Sequence, residues 1–433
     1  MGRKFSEALE YLNSLYNFEK DARRQSAPGF HLEAISYVLR DLNEPHRDYR
    51  VVHIAGTKGK GSVAAMITAI LRRAGMRVGT YTSPHLIDLR ERIRIDGAPV
   101  DEELFAEGVF AVRKVIGPRP REYATFFEVL TAAALWIFSR AGVDAAVIEA
   151  GLGGRYDATN VVLPEVAVLT RIGLDHTERL GNTIPKIAGD KAQIIKPGCV
   201  AVVAPQVEES MPPIEAQIAR TGAKGLLFGR DFTFRVVESS LEGTRVVQRI
   251  NGEEIEYFVP LVGRFQAENA SVSVAAARTL GVPKDVIAKS IAETHLRGRM
   301  EIVSRRPLVI VDGAHNPPAA EATASEIVSL GLAPAVFVVG INRPKDYKNM
   351  LSIWARTAKA FVFTDLDNPR AYPPQVLADF AKGLGVAAQT IPDPAEALKR
   401  AEQIAGPRGT VFVAGSLYLA GKMLQIFGSK TFA

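Results

Sequence analysis

The segment HIAGTKGKGSVAAMI, starting at His53, concentrates more chemistry than any other stretch of the chain. An apolar run, Arg50 to Ala55, leads into Gly56, Gly59, Lys60, Gly61 and Ser62, and a helix-forming run follows. Glycines let a backbone wrap closely round phosphate oxygens. A helix start adds N–H groups and the positive end of a dipole, and a lysine neutralises terminal phosphates. The spacing is GxxGKGS, a variant of the strict phosphate-loop pattern, which has four residues between its glycines and Ser or Thr directly after Lys. A tight turn with no ligand is the alternative; strand before, helix after and lysine between glycines favour an anion site.

A triphosphate brings a divalent cation, which takes hard oxygen ligands. Glu149 ends the apolar run DAAVIE, and the glycines of GLGGRYDATN behind it let the chain turn closely past a ligand. IGLDHTERLG brings Asp175 and His176 after the run at Val166, and TSPHL sets Ser83 just past the run Arg77 to Tyr81. Each has a bland reading alone: an acid at a strand end, a surface histidine, a loop serine. What joins them is that each follows an apolar run.

Those runs predict the scaffold. Arg50–Ala55, a helix from about Ser62 to Ala74, and Arg77–Tyr81 form a βαβ unit; Asp144–Glu149 and Val166–Arg171 are further buried strands. The result is a mainly parallel sheet with its ligands at the carboxyl ends of the strands. FTFRVV, TRVVQRI and EIEYFV, within 232–259, alternate as strands do, and Asn251-Gly252 joins the last two as a hairpin, giving a small antiparallel sheet. From Leu308 the runs LVIVDG, AVFVVG, AFVFTD and TVFVAG alternate with polar or helical stretches. The expected fold is α/β: a phosphate-loop, parallel-sheet ATPase domain over 1–296 with the small antiparallel sheet, then a smaller Rossmann-like α/β domain over 297–433.

Length and composition agree with two domains, since 433 residues at 47% hydrophobic exceed what one core usually organises. With 53 Lys and Arg against 47 Asp and Glu, the formal charge is +6, spread along the chain, and it does not imply nucleic-acid binding. The single cysteine, Cys199, precludes an internal disulfide and fits a reducing, cytoplasmic compartment. The most apolar run, Val129 to Phe138, is too short to span a membrane and reads as a buried helix. MGRKFS fits a loose acylation pattern, but its continuation through Phe5, Leu9, Leu12, Leu15 and Tyr16 reads as an amphipathic helix.

Six segments in order, HIAGTKGKGSV, TSPHL, ERIRIDG, EAGLGGRYDATN, GLDHTERLG and VDGAHNP, resemble the motif series of the folylpolyglutamate synthase and dihydrofolate synthase family, within the Mur ligase superfamily. The resemblance covers nearly the whole chain. It implies that Gly59, Lys60, Gly61 and Ser62 cradle the phosphates of ATP, and that Asn269, Arg299 and Asp312 contact ATP as well. It also implies that Lys60 and His315 are catalytic, and that Ser83, Glu149 and His176 hold magnesium. Lys191, in DKAQIIKPG, matches the lysine that the family carries as a carbamate for a second magnesium; here Asp190 precedes it where the family has glutamate.

Pterin recognition in the family falls on the segment matching Thr125, Phe126, Phe127 and Glu128, with Arg155, Tyr156 and Asp157 nearby. An aromatic slot with a carboxylate suits a flat heterocycle, while the alternative for Phe126 and Phe127 is that they begin the apolar helix ending at Phe138. The C-terminal domain is expected to close over ATP and bind glutamate. Other departures from the family are Lys58 for asparagine, Phe265 for histidine and Leu296 for tryptophan.

The implied activity is ATP-dependent addition of L-glutamate to folates, and to dihydropteroate, through an acyl phosphate. A carboxylate cannot expel oxide, so it must be activated first; Lys60 and magnesium would steady charge in both steps. The partners implied are small molecules, with neither nucleic acid nor membrane, and the chain is expected to be a monomer. Two rivals stand: another Mur-type amide ligase, which usually carries a whole domain ahead of its phosphate loop, and a phosphate-loop ATPase switch, which hydrolyses ATP without an acceptor.

Overall fold

The structure, a computed structural model, describes residues 2–17, 31–119 and 123–430. Met1, which opens the MGRKFS pattern, lies outside them. The chain divides into two compact units. The first takes in Met1–Arg235, Val247–Tyr257 and Glu268–Thr294; the second takes in Val236–Val246, Phe258–Ala267 and His295–Ala433.

Unit 1 is built on strands β1 (Arg50–Ala55), β2 (Val78–Tyr81), β3 (Ile93–Ile95), β4 (Ala98–Pro99), β5 (Ala145–Glu149), β6 (Val166–Leu169), β7 (Val200–Val203) and β8 (Lys224–Leu227). They form one eight-stranded sheet in the order β4-β3-β2-β5-β1-β6-β7-β8. β2, β5, β1, β6, β7 and β8 run parallel, and β3 and β4 continue the edge antiparallel. The central strands are apolar runs, not alternating ones, because both faces of the sheet are covered.

Helix Phe126–Arg140 buries ten of its fifteen residues, which explains the run from Val129 to Phe138, apolar but for Thr131. Helix Arg3–Ser14 buries Phe5, Ala8 and Leu12 along one stripe, with Phe5 edge-on to Phe105 at 5.4 Å. No helix among the described residues is long and apolar enough to cross a membrane.

The order of the strands positions the site. From β1 the chain crosses to β2 on one side of the sheet, and from β5 it crosses over to β6 on the other, so β1 lies at a switch point where ligands of open parallel sheets bind. In register, Ile54 sits opposite Glu149, Ala55 opposite Leu169 and Tyr81 opposite Ile148. The carboxyl ends of β2, β5, β1 and β6 are therefore level.

Strands β9 (Phe232–Ser239), β10 (Thr244–Ile250) and β11 (Glu253–Val259) make a three-stranded sheet. Asn251 and Gly252, with φ of 51° and 79°, form the expected tight turn between the last two.

Unit 2 contains β12 (Glu301–Arg305), β13 (Leu308–Val311), β14 (Ala335–Val339), β15 (Ala358–Phe363), β16 (Ala387–Thr390) and β17 (Thr410–Ala414), ordered β12-β13-β17-β14-β15-β16. All but β12 run parallel. The core packs Phe337 against Phe361, Phe412 and the fully buried Trp354, whose Nε1 donates to Thr323 Oγ1 at 3.1 Å.

Candidate active site

The phosphate loop follows β1. Its helix starts at Lys60, two residues earlier than the sequence predicts, because Gly59 caps it in a left-handed conformation, φ 87°. A side chain at Gly59 is excluded twice, since a Cβ there would lie 2.2 Å from Asn269 Oδ1. The first intrahelical bond runs from Val63 N to Gly59 O, so the amides of Lys60, Gly61 and Ser62 have no intrahelical acceptor and stand at the positive end of the helix.

Around this turn the structure gathers several of the expected residues. Lys60 Nζ donates to Gly56 O at 3.2 Å and lies 4.0 Å from Glu149 Oε1. Glu149 is buried, and its Oε2 accepts from Ser83 N at 3.2 Å. Gly61 packs beside it: a Cβ there would lie in ordinary contact with Glu149 Oε2, at 3.5 Å. Lys191, the last residue of helix Ile184–Lys191, is buried and donates to the same Gly56 O at 2.9 Å. Burial first, and the charge of Lys60 next, pull the Lys191 ammonium down to about 7.

Asp190, where the family has glutamate, accepts from Gly154 N at 2.8 Å. A Cβ on Gly154 would lie 2.7 Å from the carbonyl oxygens of both Asp190 and Lys191. The glycine loop behind Glu149 is thus packed onto the helix end that carries Lys191.

His176 sits in the loop after β6, with φ 49°. Its ring lies 3.9 Å from Glu178 Oε1 and 4.0 Å from Asp175 Oδ2. Thr57 ties this loop to the phosphate loop, donating to Gly173 O at 3.0 Å and accepting from Gly173 N at 3.1 Å. Among the described residues no three carboxylate, imidazole or thiol groups gather to hold a metal ion. Glu149 and Ser83, side by side at two strand ends, are hard oxygen donors of the kind magnesium takes, so the donor chemistry fits the ion. Lys58 is half-buried, and burial first, then Arg171, pulls it down to about 8.

The expected pterin residues divide. Thr125 and Glu128 close a capping box on helix Phe126–Arg140: Glu128 Oε2 accepts from Thr125 N at 2.7 Å, and Thr125 Oγ1 from Glu128 N at 3.3 Å. Phe126, the first residue of that helix, is turned into the core and is 4% exposed. Asp157 is buried too, and its Oδ2 accepts from Leu152 N at 2.7 Å. Phe127 is half-buried over Gly151, tilted against Tyr81 at 5.9 Å. Arg155 and Tyr156 are exposed, the guanidinium 5.8 Å from the ring.

In unit 2, Asp312 follows β13. Its Oδ1 accepts from Ala314 N at 2.7 Å and its Oδ2 from Met300 N at 2.9 Å. Burial raises this carboxyl while Arg299 opposes the rise. Arg299 packs over Gly313, where a Cβ would lie 2.6 Å from Nη1. His315 Nδ1 is 2.8 Å from Gly313 O, so Arg299, Asp312 and His315 share one strand end.

Two buried residues went unnoticed in the sequence. His53 and Thr159 are both fully buried and hydrogen-bonded at 2.8 Å. The signal was there: a histidine inside the otherwise apolar RVVHIA, and a threonine in DATN.

Two family models match, the Mur ligase middle domain over residues 54–277 and the Mur ligase glutamate ligase domain over 298–417. A probable bifunctional folylpolyglutamate synthase/dihydropteroate synthase of Halobacterium salinarum is 36% identical over 96% of this chain and 52% of its own length. The corresponding protein of Haloferax volcanii is covered to 50%, so the chain spans about half the length of these two relatives. The folylpolyglutamate synthase of Lacticaseibacillus casei is 32% identical over 99% of this chain and 100% of its own.

Among solved structures, Mycobacterium tuberculosis folylpolyglutamate synthase complexed with ADP and AMPPCP superposes with a TM-score of 0.89 at 30% identity, covering 98% of this chain and 99% of that one. Escherichia coli FolC in complex with DHPP and ADP gives 0.88 at 29%, covering 99% and 98%. The bifunctional Yersinia pestis enzyme complexed with AMPPNP and Mn ion gives 0.84 at 29%, covering 98% of each chain. A match that runs end to end through the Lacticaseibacillus protein, with both Mur ligase models aligned in order, means that the chain belongs to the folylpolyglutamate synthase and dihydrofolate synthase family of Mur ligases.

Proposed function

We propose that the chain is an ATP-dependent ligase that adds L-glutamate to folates, and to dihydropteroate, through an acyl phosphate. The observation that carries this is the convergence of Lys60 and Lys191 on Gly56 O, with Glu149 and Ser83 beside Lys60, at the start of a helix whose first three amides have no intrahelical acceptor. Amines and N–H groups beside a buried carboxylate support a site for a polyphosphate with its cation. The nucleotide complexes of the Mycobacterium and Yersinia proteins and the DHPP complex of the Escherichia protein support the same ligand classes here.

In this reading, Gly59, Gly61 and Ser62 lend backbone amides to the phosphates, and Asn269, against the loop, contacts the nucleotide. Lys60 is held at the loop by Gly56 O and neutralises charge on the γ-phosphate as the acceptor carboxylate attacks it. The acyl phosphate and ADP result. The glutamate amine then attacks the acyl carbon, and phosphate leaves through a tetrahedral intermediate. Glu149, Ser83 and His176 would hold one magnesium ion, and Lys191 a second as a carbamate; the ions would neutralise phosphate charge. A lysine drawn down to about 7 keeps enough free amine at neutral pH to add carbon dioxide, giving a carbamate anion and a proton.

Thr125, Phe126, Phe127, Glu128, Arg155, Tyr156 and Asp157 line the acceptor site, with Phe127, Glu128, Arg155 and Tyr156 its exposed or half-buried members. In unit 2, Arg299 and Asp312 add nucleotide contacts, His315 serves the catalytic step, and glutamate binds in the same unit.

The test incubates the purified chain with ATP, magnesium, labelled glutamate and either tetrahydrofolate or dihydropteroate, and separates products by mass. Amide product with acceptor-dependent phosphate release is expected. ATP hydrolysis at the same rate without an acceptor, and no amide, would sink the ligase reading in favour of a switch.

A further inference from the structure

We propose that His53, Thr159 and Asp157 form a buried hydrogen-bonded chain that positions the loop 151–157, and through it Arg155 and Tyr156, for the acceptor. The inference rests on the ligase reading for its substrate, not for its geometry.

His53 lies in β1, opposite Ile148 of β5 and Ala167 of β6, at the centre of the sheet and three residues before the phosphate loop. Its Nε2 is 2.8 Å from Thr159 Oγ1, and that hydroxyl donates to Asp157 Oδ1. Asp157 Oδ1 also accepts from Thr159 N at 3.0 Å, and Oδ2 from Leu152 N at 2.7 Å. A carboxylate only accepts, so the threonine proton points to Asp157 and the histidine must donate, which fixes the Nε2–H tautomer. Beyond the chain, Asn160 Nδ2 donates to Arg155 O at 3.1 Å, and Lys196 Nζ donates to Val162 O at 2.8 Å. The loop that carries Arg155 and Tyr156 outward is therefore anchored to the strand that feeds the phosphate loop.

A purely structural device would be built otherwise. His53 Nδ1 is buried with no hydrogen-bond partner, and its neighbours in β1, Val51, Val52, Ile54 and Ala55, are all apolar. An apolar residue at position 53 would avoid burying that lone pair. What the imidazole adds is a donor aimed at Thr159, and through Thr159 and Asp157 a fixed amide at Leu152, three residues past Glu149. His53 and Thr159 are positioning residues, since both are fully buried.

The test compares Thr159→Val, which keeps the shape and removes the hydroxyl, with Thr159→Ser, which restores it. Amide exchange of 150–158 is read without substrates, and KM is read separately for ATP and for the folate acceptor. In Thr159→Val we expect exchange in that segment to rise about 10-fold or more, and acceptor KM to rise about 5-fold or more with ATP KM changed less than about 2-fold. Thr159→Ser should return both towards wild type. Wild-type exchange in Thr159→Val, equal losses in both variants, or a parallel rise in both KM values would overturn the proposal. If Thr159→Val does not fold, His53→Leu removes the first link in an apolar strand, and unchanged exchange in 150–158 would overturn the proposal in the same way. The exchange arm needs no turnover. A wild-type chain that forms no amide would therefore fail the ligase reading while leaving this chain of bonds to be judged by exchange alone.

Discussion

Lys60 and Lys191 donate to one and the same oxygen, the carbonyl of Gly56, at 3.2 and 2.9 Å. One comes from the start of the helix after β1 and the other from the end of helix Ile184–Lys191, so two separate elements converge on a single turn. Glu149 lies 4.0 Å from Lys60, and the carboxylates of Asp175, Asp190 and Asp157 act on Lys191. Two amines held at one backbone oxygen suit an incoming polyphosphate, whose charge they can offset.

Removing Lys60 should cost chemistry and little stability. In Lys60→Met, Gly56 O keeps its bond to Lys191, and methionine refills most of the space of the lysine stem, whose side chain is 17% exposed. Amide formation should fall about 100-fold to 1000-fold, as when one preorganised charge-stabilising donor is lost, with the melting temperature nearly unchanged. Steady-state rates beside a melting curve check both; an unaltered rate would remove Lys60 from the mechanism.

Lys191 makes a spectroscopic prediction. Buried and drawn down to about 7, it should carry a carbamate when the protein is equilibrated with carbon-13 bicarbonate. One carbamate carbon resonance is expected in the wild type and none in Lys191→Ala. A wild-type spectrum without that resonance would leave Lys191 as a plain amine on Gly56 and remove the second cation site.

Gly59 should tolerate no side chain. Alanine there meets both a left-handed φ of 87° and Asn269 Oδ1 at 2.2 Å, well inside contact distance. The conformational part alone costs on the order of 1–2 kcal/mol, and relief of the clash must push Asn269 or the loop aside. Titration calorimetry with ADP should show affinity for Gly59→Ala reduced at least about 10-fold, since 1.4 kcal/mol is one decade. Wild-type affinity would mean that this turn is not the phosphate cradle.

The elements that carry the site were legible because they are buried. Runs such as RVVHIA, DAAVIE and TVFVAG are covered on both faces and show as mainly apolar stretches without alternation. β16, whose AAQT is mostly exposed, and the two-residue β4 leave no such trace, because edge strands meet solvent and satisfy few apolar contacts. The phosphate loop was readable for a similar reason, since glycine and lysine identities there follow directly from backbone geometry and charge. The split among the pterin residues was not. Thr125 and Glu128 match a capping box as well as they match a ligand, and whether Phe126 or Phe127 points inward depends on where the helix begins. His53 escaped notice because a polar atom in a buried strand finds its partner, Thr159, more than a hundred residues away.

That split separates two neighbouring phenylalanines. Phe126→Ala empties a site in the core and should cost about 3–5 kcal/mol of stability, whereas half-buried Phe127, over Gly151 and Tyr81, should cost less when truncated. The kinetic effect should be reversed, with Phe127→Ala raising acceptor KM several-fold and Phe126→Ala changing it little per folded molecule. Denaturant unfolding beside acceptor titrations decides it. A larger kinetic defect in Phe126→Ala would return that ring to the binding slot.

His53 gives the pH dependence its sign. Burial holds its imidazole down to about 3 in the folded chain against 6.5 ordinarily. The unfolded chain therefore takes up a proton as pH falls below 6.5 while the folded chain does not, and stability is lost over that window. Above it both forms are neutral and His53 contributes no slope. The loss should reach about 2 kcal/mol by pH 5, integrating the proton difference at roughly 1.4 kcal/mol per pH unit. Urea unfolding of the wild type and of His53→Gln at pH 7.5 and pH 5 isolates this term, because glutamine does not titrate and can still donate to Thr159. The wild type should weaken on acidification by about 2 kcal/mol more than the variant. Equal weakening of the two proteins would show that His53 is protonated in the fold, and the tautomer that makes it a donor to Thr159 would have to be assigned anew.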